Sequence, residues 1–287
     1  MKVGIIGQGF VGSAIREGLK NFHDVKAYDI ESSKCFNLVS KHAERHTELV
    51  HWSDIIFVCL PTPMRKNGSC DTRILETAIK KINETACSDP NRNRPILVVK
   101  STVPPGTTAR MDKLASVLNV CFSPEFLTEA NAVEDFSNQN RIILGGPRPA
   151  TTELRRLYSK VFPKAHIIKT DSTHAEMVKY LTNSFLATKV SFANEIYQVC
   201  EKLNIDYDKV VEYATLDDRL GKSHWNVPGP DGDFGFGGHC LPKDLSALIY
   251  LAMNLDTETN VLNAVEETND VVRTNRDWEN MKGRAVV

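Results

Sequence analysis

Lys2-Val3-Gly4-Ile5-Ile6-Gly7-Gln8-Gly9-Phe10-Val11-Gly12 opens with a short apolar run that leads at once into Gly-x-Gly-x-x-Gly, and a helix-like segment follows to about Lys20. The glycines thus stand where a strand gives way to a helix. In that setting Gly7 makes the tight turn, Gly9 lets a pyrophosphate approach the backbone, and Gly12 lets the helix pack on the strand, with Phe10 and Val11 between them. A second strand, Val25 to Tyr28, ends at Asp29, close to the distance expected of a carboxylate that binds the adenosine ribose. An acid there favours NAD over NADP, whose 2′-phosphate it repels.

Strand and helix go on alternating. Apolar strands are expected at Asp54–Leu60, Pro95–Lys100, Val120–Ser123, Arg141–Gly145 and His166–Lys169, with helices at Ile74–Ile82, Thr108–Leu118 and about Glu153–Val161 between them. Continuous apolar strands separated by helices describe an α/β, Rossmann-like, doubly wound and mostly parallel sheet covered on both faces. Such sheets bind ligands beyond the carboxyl ends of their strands. The segments to read there are Pro61-Thr62-Pro63, Ser101-Thr102-Val103-Pro104-Pro105-Gly106 and Ser123-Pro124-Glu125-Phe126-Leu127-Thr128-Glu129.

Near Asp171 the pattern changes. Thr173 and Glu176 fit a capping box, and a helical period then runs to about Leu203, carrying Lys179 and Asn183 four residues apart and so on one face. A helix near Asp208–Thr215, a loop over 217–240, a helix at Pro242–Met253 and a long helix at about Asn260–Trp278 complete the chain. Two domains are expected: residues 1–171 binding the dinucleotide, and an all-helical central domain over 172–287. At 287 residues the chain can bury roughly three quarters of its unfolded surface, so neither disulfide nor metal is needed to hold it.

Composition narrows the partners. With a net charge of -1 and 25% charged residues, nothing in the balance suggests nucleic acid. No secretory signal begins at Met1, and no apolar run reaches spanning length. Seven cysteines at irregular spacing without a C-x-x-C pair suit reduced thiols in a cytoplasmic compartment. His42 and His46, set among Lys41, Glu44, Arg45 and Glu48, read as a solvated helix face and not as a metal site.

The second domain's chemistry concentrates in Phe234-Gly235-Phe236-Gly237-Gly238-His239-Cys240-Leu241-Pro242-Lys243-Asp244. Glycines strip the loop so that its backbone can lie against a ligand, and Cys240 ends it just before a helix that starts at Pro242. Free N–H groups at a helix start favour a thiolate. A thiolate beside a backbone-lined pocket is a nucleophile for an electrophilic carbon.

Taken in one order, the glycine fingerprint, Ser101-Thr102-Val103-Pro104-Pro105-Gly106-Thr107, Ser123-Pro124-Glu125-Phe126-Leu127-Thr128-Glu129, Lys179 with Asn183, and Gly235 to Asp244 resemble the UDP-glucose/GDP-mannose dehydrogenase family. The likeness covers nearly the whole chain and is greatest to the branch that oxidises UDP-glucose. The resemblance implies an NAD-dependent four-electron oxidation of a nucleotide sugar's C6 alcohol to a carboxylate, through a thiohemiacetal and a thioester on Cys240. It assigns Lys179 and Asn183 to the reacting oxygen and to the sugar, and Thr102, Glu125, Glu129 and Asp244 to water and protons. Lys34, Thr62, Thr102, Glu129 and Lys243 are implied near the cofactor, and Glu125, Phe126, Leu127 and Gly237 near the sugar nucleotide. Arg219 matches an arginine that reaches a neighbouring subunit's substrate site, which implies a homodimer.

Relatives continue into a third α/β domain, and Lys282-Gly283-Arg284-Ala285-Val286-Val287 is similar to the opening of its first strand. Loop residues 226–233 look longer than in many relatives. Two other readings compete: a single-step hydroxyacid dehydrogenase, which needs no cysteine and forms one NADH per substrate, and a non-catalytic NAD-binding remnant.

Overall fold

The computed structural model describes residues 1–89 and 94–287. It divides into two compact units, Met1–Thr62 with Thr72–Lys179, and Pro63–Asp71 with Tyr180–Val287. Among the described residues no helix is long and apolar enough to cross a membrane.

The first unit holds β1 (Lys2–Ile6), α1 (Phe10–Leu19), β2 (Asp24–Tyr28), α2 (Arg45–Trp52), β3 (Ile55–Val58), α3 (Arg73–Cys87), β4 (Ile96–Val99), α4 (Thr107–Leu114), β5 (Asn119–Phe122), α5 (Ala132–Ser137), β6 (Arg141–Gly145), α6 (Arg148–Val161) and β7 (His166–Thr170). α7 (Ser172–Leu203) follows and contributes its residues through Lys179. The strands form one sheet in the order β2-β1-β3-β4-β5-β6-β7. The expected α/β Rossmann-like sheet is therefore present. β1 to β5 are parallel, whereas β6 meets β5 antiparallel at Phe122 and Gly145, and β7 follows β6.

The apolar strands are continuous because both faces are covered. Ile55 and Phe57 join a core with Ala14, Ile15 and Leu19 of α1, Phe136 of α5, and Leu154, Leu157 and Tyr158 of α6. Ile56 and Val58 point the other way, into Leu49 and Val50 of α2, Leu75, Ile79 and Ile82 of α3, and Met111 of α4. Each such side chain contributes about 1.5–3 kcal/mol by leaving water, so neither face can become polar without loss of the sheet.

Several local expectations change. α6 begins at Arg148, with Pro149 in its first turn, earlier than Glu153, because proline there gives up only an N–H that has no helical partner. α5 was not anticipated from the sequence. His46 is not on a solvated face: it is buried among Leu49, Val50 and the edge of the Tyr28 ring, and burial, helped by Lys81, pulls its pKa down to about 4.

The capping box also resolves differently. α7 starts at Ser172, and the carboxylate of fully buried Glu176 accepts hydrogen bonds from the N–H groups of Gly106 (2.6 Å) and Thr108 (2.7 Å). It thereby caps α4. Gly106 adopts φ +90°, a conformation that glycine takes without steric cost.

The second unit carries the rest of α7, then α8 (Tyr207–Ala214), α9 (Leu241–Asn254) and α10 (Asn260–Val272). Its apolar clusters centre on Ala187, Phe236, Leu245, Ile249 and Val265, and on Ala193, Cys200, Tyr207 and Val227. Not all of the unit is helix or loop. Met64 pairs with Val286 in a bridge, and the N–H of Met64 donates to the carbonyl of buried Ala285 at 2.7 Å. The long terminal helix stops at Val272, six residues short of Trp278.

Substituting Glu176→Ala strands two N–H groups at the start of α4. Urea denaturation is expected to register a loss of about 2–4 kcal/mol, and an unchanged midpoint would contradict the capping role.

Candidate active site

In the first unit, the glycine loop is fixed from two sides. Gly7 sits at φ +90°, and a Cβ there would strike the carbonyl of Cys59; a Cβ on Gly12 would strike the Gly7 carbonyl. Around Gly9 the space is open, with nothing within 4 Å of where its Cβ would be. The N-cap residue of α1, Gly9, makes no side-chain capping bond, and a pyrophosphate fits the cradle at this helix start. Asp29 accepts from the Gln8 N–H at 2.7 Å and from the Glu31 N–H at 2.9 Å, which ties the carboxylate expected at the ribose to the loop. Phe10 and Val11 stand in the first turn of α1, and Lys34 pairs with Glu31 at the exposed surface.

Beyond β3, β4 and β5 the same unit buries a charged cluster. Lys179 donates to the Glu125 carbonyl at 2.7 Å and pairs with its carboxylate at 3.0 Å. The other carboxylate oxygen accepts from the Leu127 N–H at 2.7 Å. Burial alone would push the Glu125 carboxyl up; Lys179, the Leu127 N–H and Lys100 outweigh it and hold it below the usual range. Phe126 lies between two cations, 4.3 Å from Arg141 and 5.5 Å from Lys179, and Leu127 packs on the core. Thr62 and Thr102 are buried and joined, the Thr62 hydroxyl donating to the Thr102 carbonyl at 2.7 Å. Glu129 is exposed.

In the second unit, Cys240 is the half-buried N-cap residue of α9, with Pro242 in the first turn. Asp244, 1% exposed, accepts from the Asn183 amide at 2.6 Å and pairs with Lys243. Burial would lower the Lys243 pKa; the Asp244 carboxylate, with smaller contributions from Cys70 and Cys240, holds it above the ordinary lysine value instead. The Lys243 ammonium, held charged by Asp244, lies within electrostatic reach of the Cys240 sulfur. Arg219 is exposed and paired with Asp217. The sequence-derived residues thus fall into two groups, Lys179 with Glu125 and Asn183 with Asp244, carried by successive turns of α7.

The sequence reading missed what holds the glycine loop. Asn269 of α10 accepts from the Phe236 N–H at 2.7 Å and donates to the Phe236 carbonyl at 3.0 Å. Arg273 binds Asp231 at 2.6 Å, Asp277 at 3.2 Å and the Asn275 carbonyl at 2.7 Å, and Asp277 accepts from the Gly238 N–H at 3.0 Å. A side chain at Gly237 would run into the Arg273 guanidinium. Lys100, also missed, ends an apolar strand and had to be buried.

Burial lowers the Lys100 pKa from 10.5 to about 8, with Lys179 also lowering it against Cys59 and Glu125. Between those two values the unfolded chain holds one proton more than the folded one, so this residue's contribution to stability rises with pH there. Below pH 8 its cost is fully present. Lys100→Met is expected to be more stable than wild type at pH 7 by about 1–2 kcal/mol. The gap should close as the pH of a denaturation series approaches 10.5, the ordinary lysine value.

Comparison with known proteins finds two family models along the chain. Residues 39–162 match the UDP-glucose/GDP-mannose dehydrogenase family, NAD binding domain, and residues 173–271 match that family's central domain. The UDP-glucose 6-dehydrogenase of Haloferax volcanii is 31% identical over 94% of this chain and 70% of its own length. UDP-glucose 6-dehydrogenase TuaD of Bacillus subtilis is 35% identical over 77% of this chain, which spans 47% of that relative. The structure of a UDP-glucose dehydrogenase from Pyrobaculum islandicum superposes with a TM-score of 0.83 at 30% identity, over 94% of this chain and 68% of that one. The dinucleotide of the first unit is NAD, and the chain belongs to the UDP-glucose/GDP-mannose dehydrogenase family of NAD-dependent dehydrogenases.

Proposed function

We propose that the chain oxidises the C6 alcohol of UDP-glucose to the carboxylate of UDP-glucuronate, with two NADH formed per sugar. The observation that carries this reading is Cys240 at the head of α9, a thiol acted on by the buried Lys243 ammonium that Asp244 keeps charged. A single hydride transfer has no use for such a thiol. The choice of UDP-glucose rests on the relatives that bear that name at 30% identity and above.

NAD supplies the hydride acceptor at each of the two oxidations. The first removes a hydride from C6 and a proton from its hydroxyl, leaving an aldehyde. The Cys240 thiolate adds to the aldehyde carbon and gives a thiohemiacetal, whose oxygen carries negative charge. Loss of the second hydride leaves a thioester, and water then cleaves the C–S bond to return the thiol and release the carboxylate. Lys179 and Asn183 stabilise the charged oxygen at each stage, in the manner of an oxyanion site. Asp244 orients Asn183 through the 2.6 Å bond, while Glu125, Thr102 and Glu129 handle water and protons. Phe126, Leu127 and Gly237 contact the sugar nucleotide, and Thr62, Lys34 and Lys243 serve the cofactor side.

The active assembly is a homodimer in which Arg219 serves the partner's site. α7 supports this with an exposed apolar stripe, Leu181, Phe185, Phe192, Val199 and Leu203, at the spacing of one helix face. None of the seven cysteines is in a disulfide among the described residues, which suits a reducing cytoplasm.

With limiting UDP-glucose and excess NAD, two NADH per sugar are expected at completion, and Cys240→Ser should abolish the second. One NADH per substrate in the intact protein would support a single-step dehydrogenase instead. For the assembly, Phe185→Glu with Phe192→Glu is expected to halve the mass found by sedimentation equilibrium, and a wild-type chain already monomeric would refute the dimer.

A further inference from the structure

Lys100 is the one buried cation of the first unit's charged cluster to which the chemistry above gives no task. It immediately follows β4 at 6% exposure, and its ammonium donates to the Pro124 carbonyl at 3.1 Å and to the Ser123 hydroxyl at 3.4 Å. These are the two residues immediately before Glu125. A lysine that only needed to satisfy a carbonyl would be a costly choice at this depth, since an uncharged donor would serve without desolvation of an ion.

The groups that face it come from every neighbouring element. Cys59 follows β3, Ser123 and Glu125 follow β5, Lys179 belongs to α7, and Tyr158 of α6 lies near Ser123 with its hydroxyl buried. Burial pushes the Cys59 thiol up to about 12 and the Tyr158 phenol above its ordinary value, so both are neutral at pH 7. Glu125 is therefore a single carboxylate that compensates two ammonium groups, and both of them favour its ionised form.

We propose that Lys100 is a positioning residue of the reaction site: its hydrogen bonds to the Pro124 carbonyl and the Ser123 hydroxyl fix the segment that carries Glu125, and its ammonium adds to the positive field that Lys179 sets at the Glu125 carboxylate. This rests on the reading that Glu125 takes part in the oxidation. Lys100 touches neither the sugar nor the reacting carbon in this role. Its effect passes through Glu125, which as an anion can accept a proton from the substrate side or from water, and as an acid cannot.

The test follows the Glu125 carboxyl directly, by carbon NMR of the full chain carrying glutamate labelled at the side-chain carboxyl, with Glu125→Gln to assign the signal. In wild type the Glu125 resonance should show a small inflection near pH 8, where Lys100 loses its proton. In Lys100→Met and Lys100→Gln that inflection should vanish, and the Glu125 titration should move upward by about one pH unit or more. A merely structural lysine would leave both features unchanged, so a titration identical in wild type and in either folded variant overturns the proposal. Turnover by Glu125→Gln is measured in parallel. If that variant oxidises UDP-glucose at the wild-type rate, the reading of Glu125 as a reacting group fails, and with it the claim that Lys100 serves catalysis, whereas the carboxyl titration still decides whether Lys100 governs the charge of Glu125.

Discussion

A carboxylate taken out of water must be met by donors or cations at close range, and both units are arranged around carboxylates of this kind. Glu176 is fully buried and binds two backbone N–H groups at the start of α4. Glu125 has Lys179, the Leu127 N–H and the field of Lys100. Asp244 has Asn183 and Lys243. An unmatched ion at such depth costs several kcal/mol, so each of these loops and helix ends is held where its partner requires it.

The same constraint explains the end of α10. Another turn of helix beyond Val272 would use the backbone of Thr274 and Asn275 internally. Instead the Asn275 N–H and the Thr274 hydroxyl turn to Asp233, at 2.8 Å and 3.1 Å, and the Asn275 carbonyl turns to Arg273. The helix gives up regular hydrogen bonds to build a polar clamp on residues 231–238. Because the Arg273 side chain is 1% exposed, the clamp has little freedom, and neither has the glycine loop that ends at Cys240.

What could be read beforehand follows from how local each signal is. The glycine fingerprint, the continuous apolar strands and the cysteine loop declare themselves within a dozen residues, because turn geometry and strand burial are properties of short segments. Asp29 was also readable, since its separation from Gly12 is set by one helix and one strand. Glu176, Asn269 and Arg273 were not, since each acts on a backbone group at least 33 residues away that no local pattern indicates. His46 misled for the opposite reason: its neighbours in sequence are charged, while its neighbours in space are Leu49, Val50 and Tyr28.

The buried pair of lysines against one carboxylate brings stability and chemistry into opposition. At pH 7 the cluster carries more positive than negative charge, and burial, with Lys179 adding to it, holds the Lys100 pKa at about 8. A site with balanced charges would be more stable. It would also have to reorganise when an alcohol begins to lose its proton, because every cation would already be neutralised by a fixed partner. Under the proposed oxidation an excess of positive charge needs no such rearrangement, because negative charge developing on the substrate oxygen would supply the missing anion. Under the proposed oxidation, the cost of burying Lys100 and the field it adds at Glu125 are then two consequences of one arrangement of charge, and a substitution that relieves the first weakens the second.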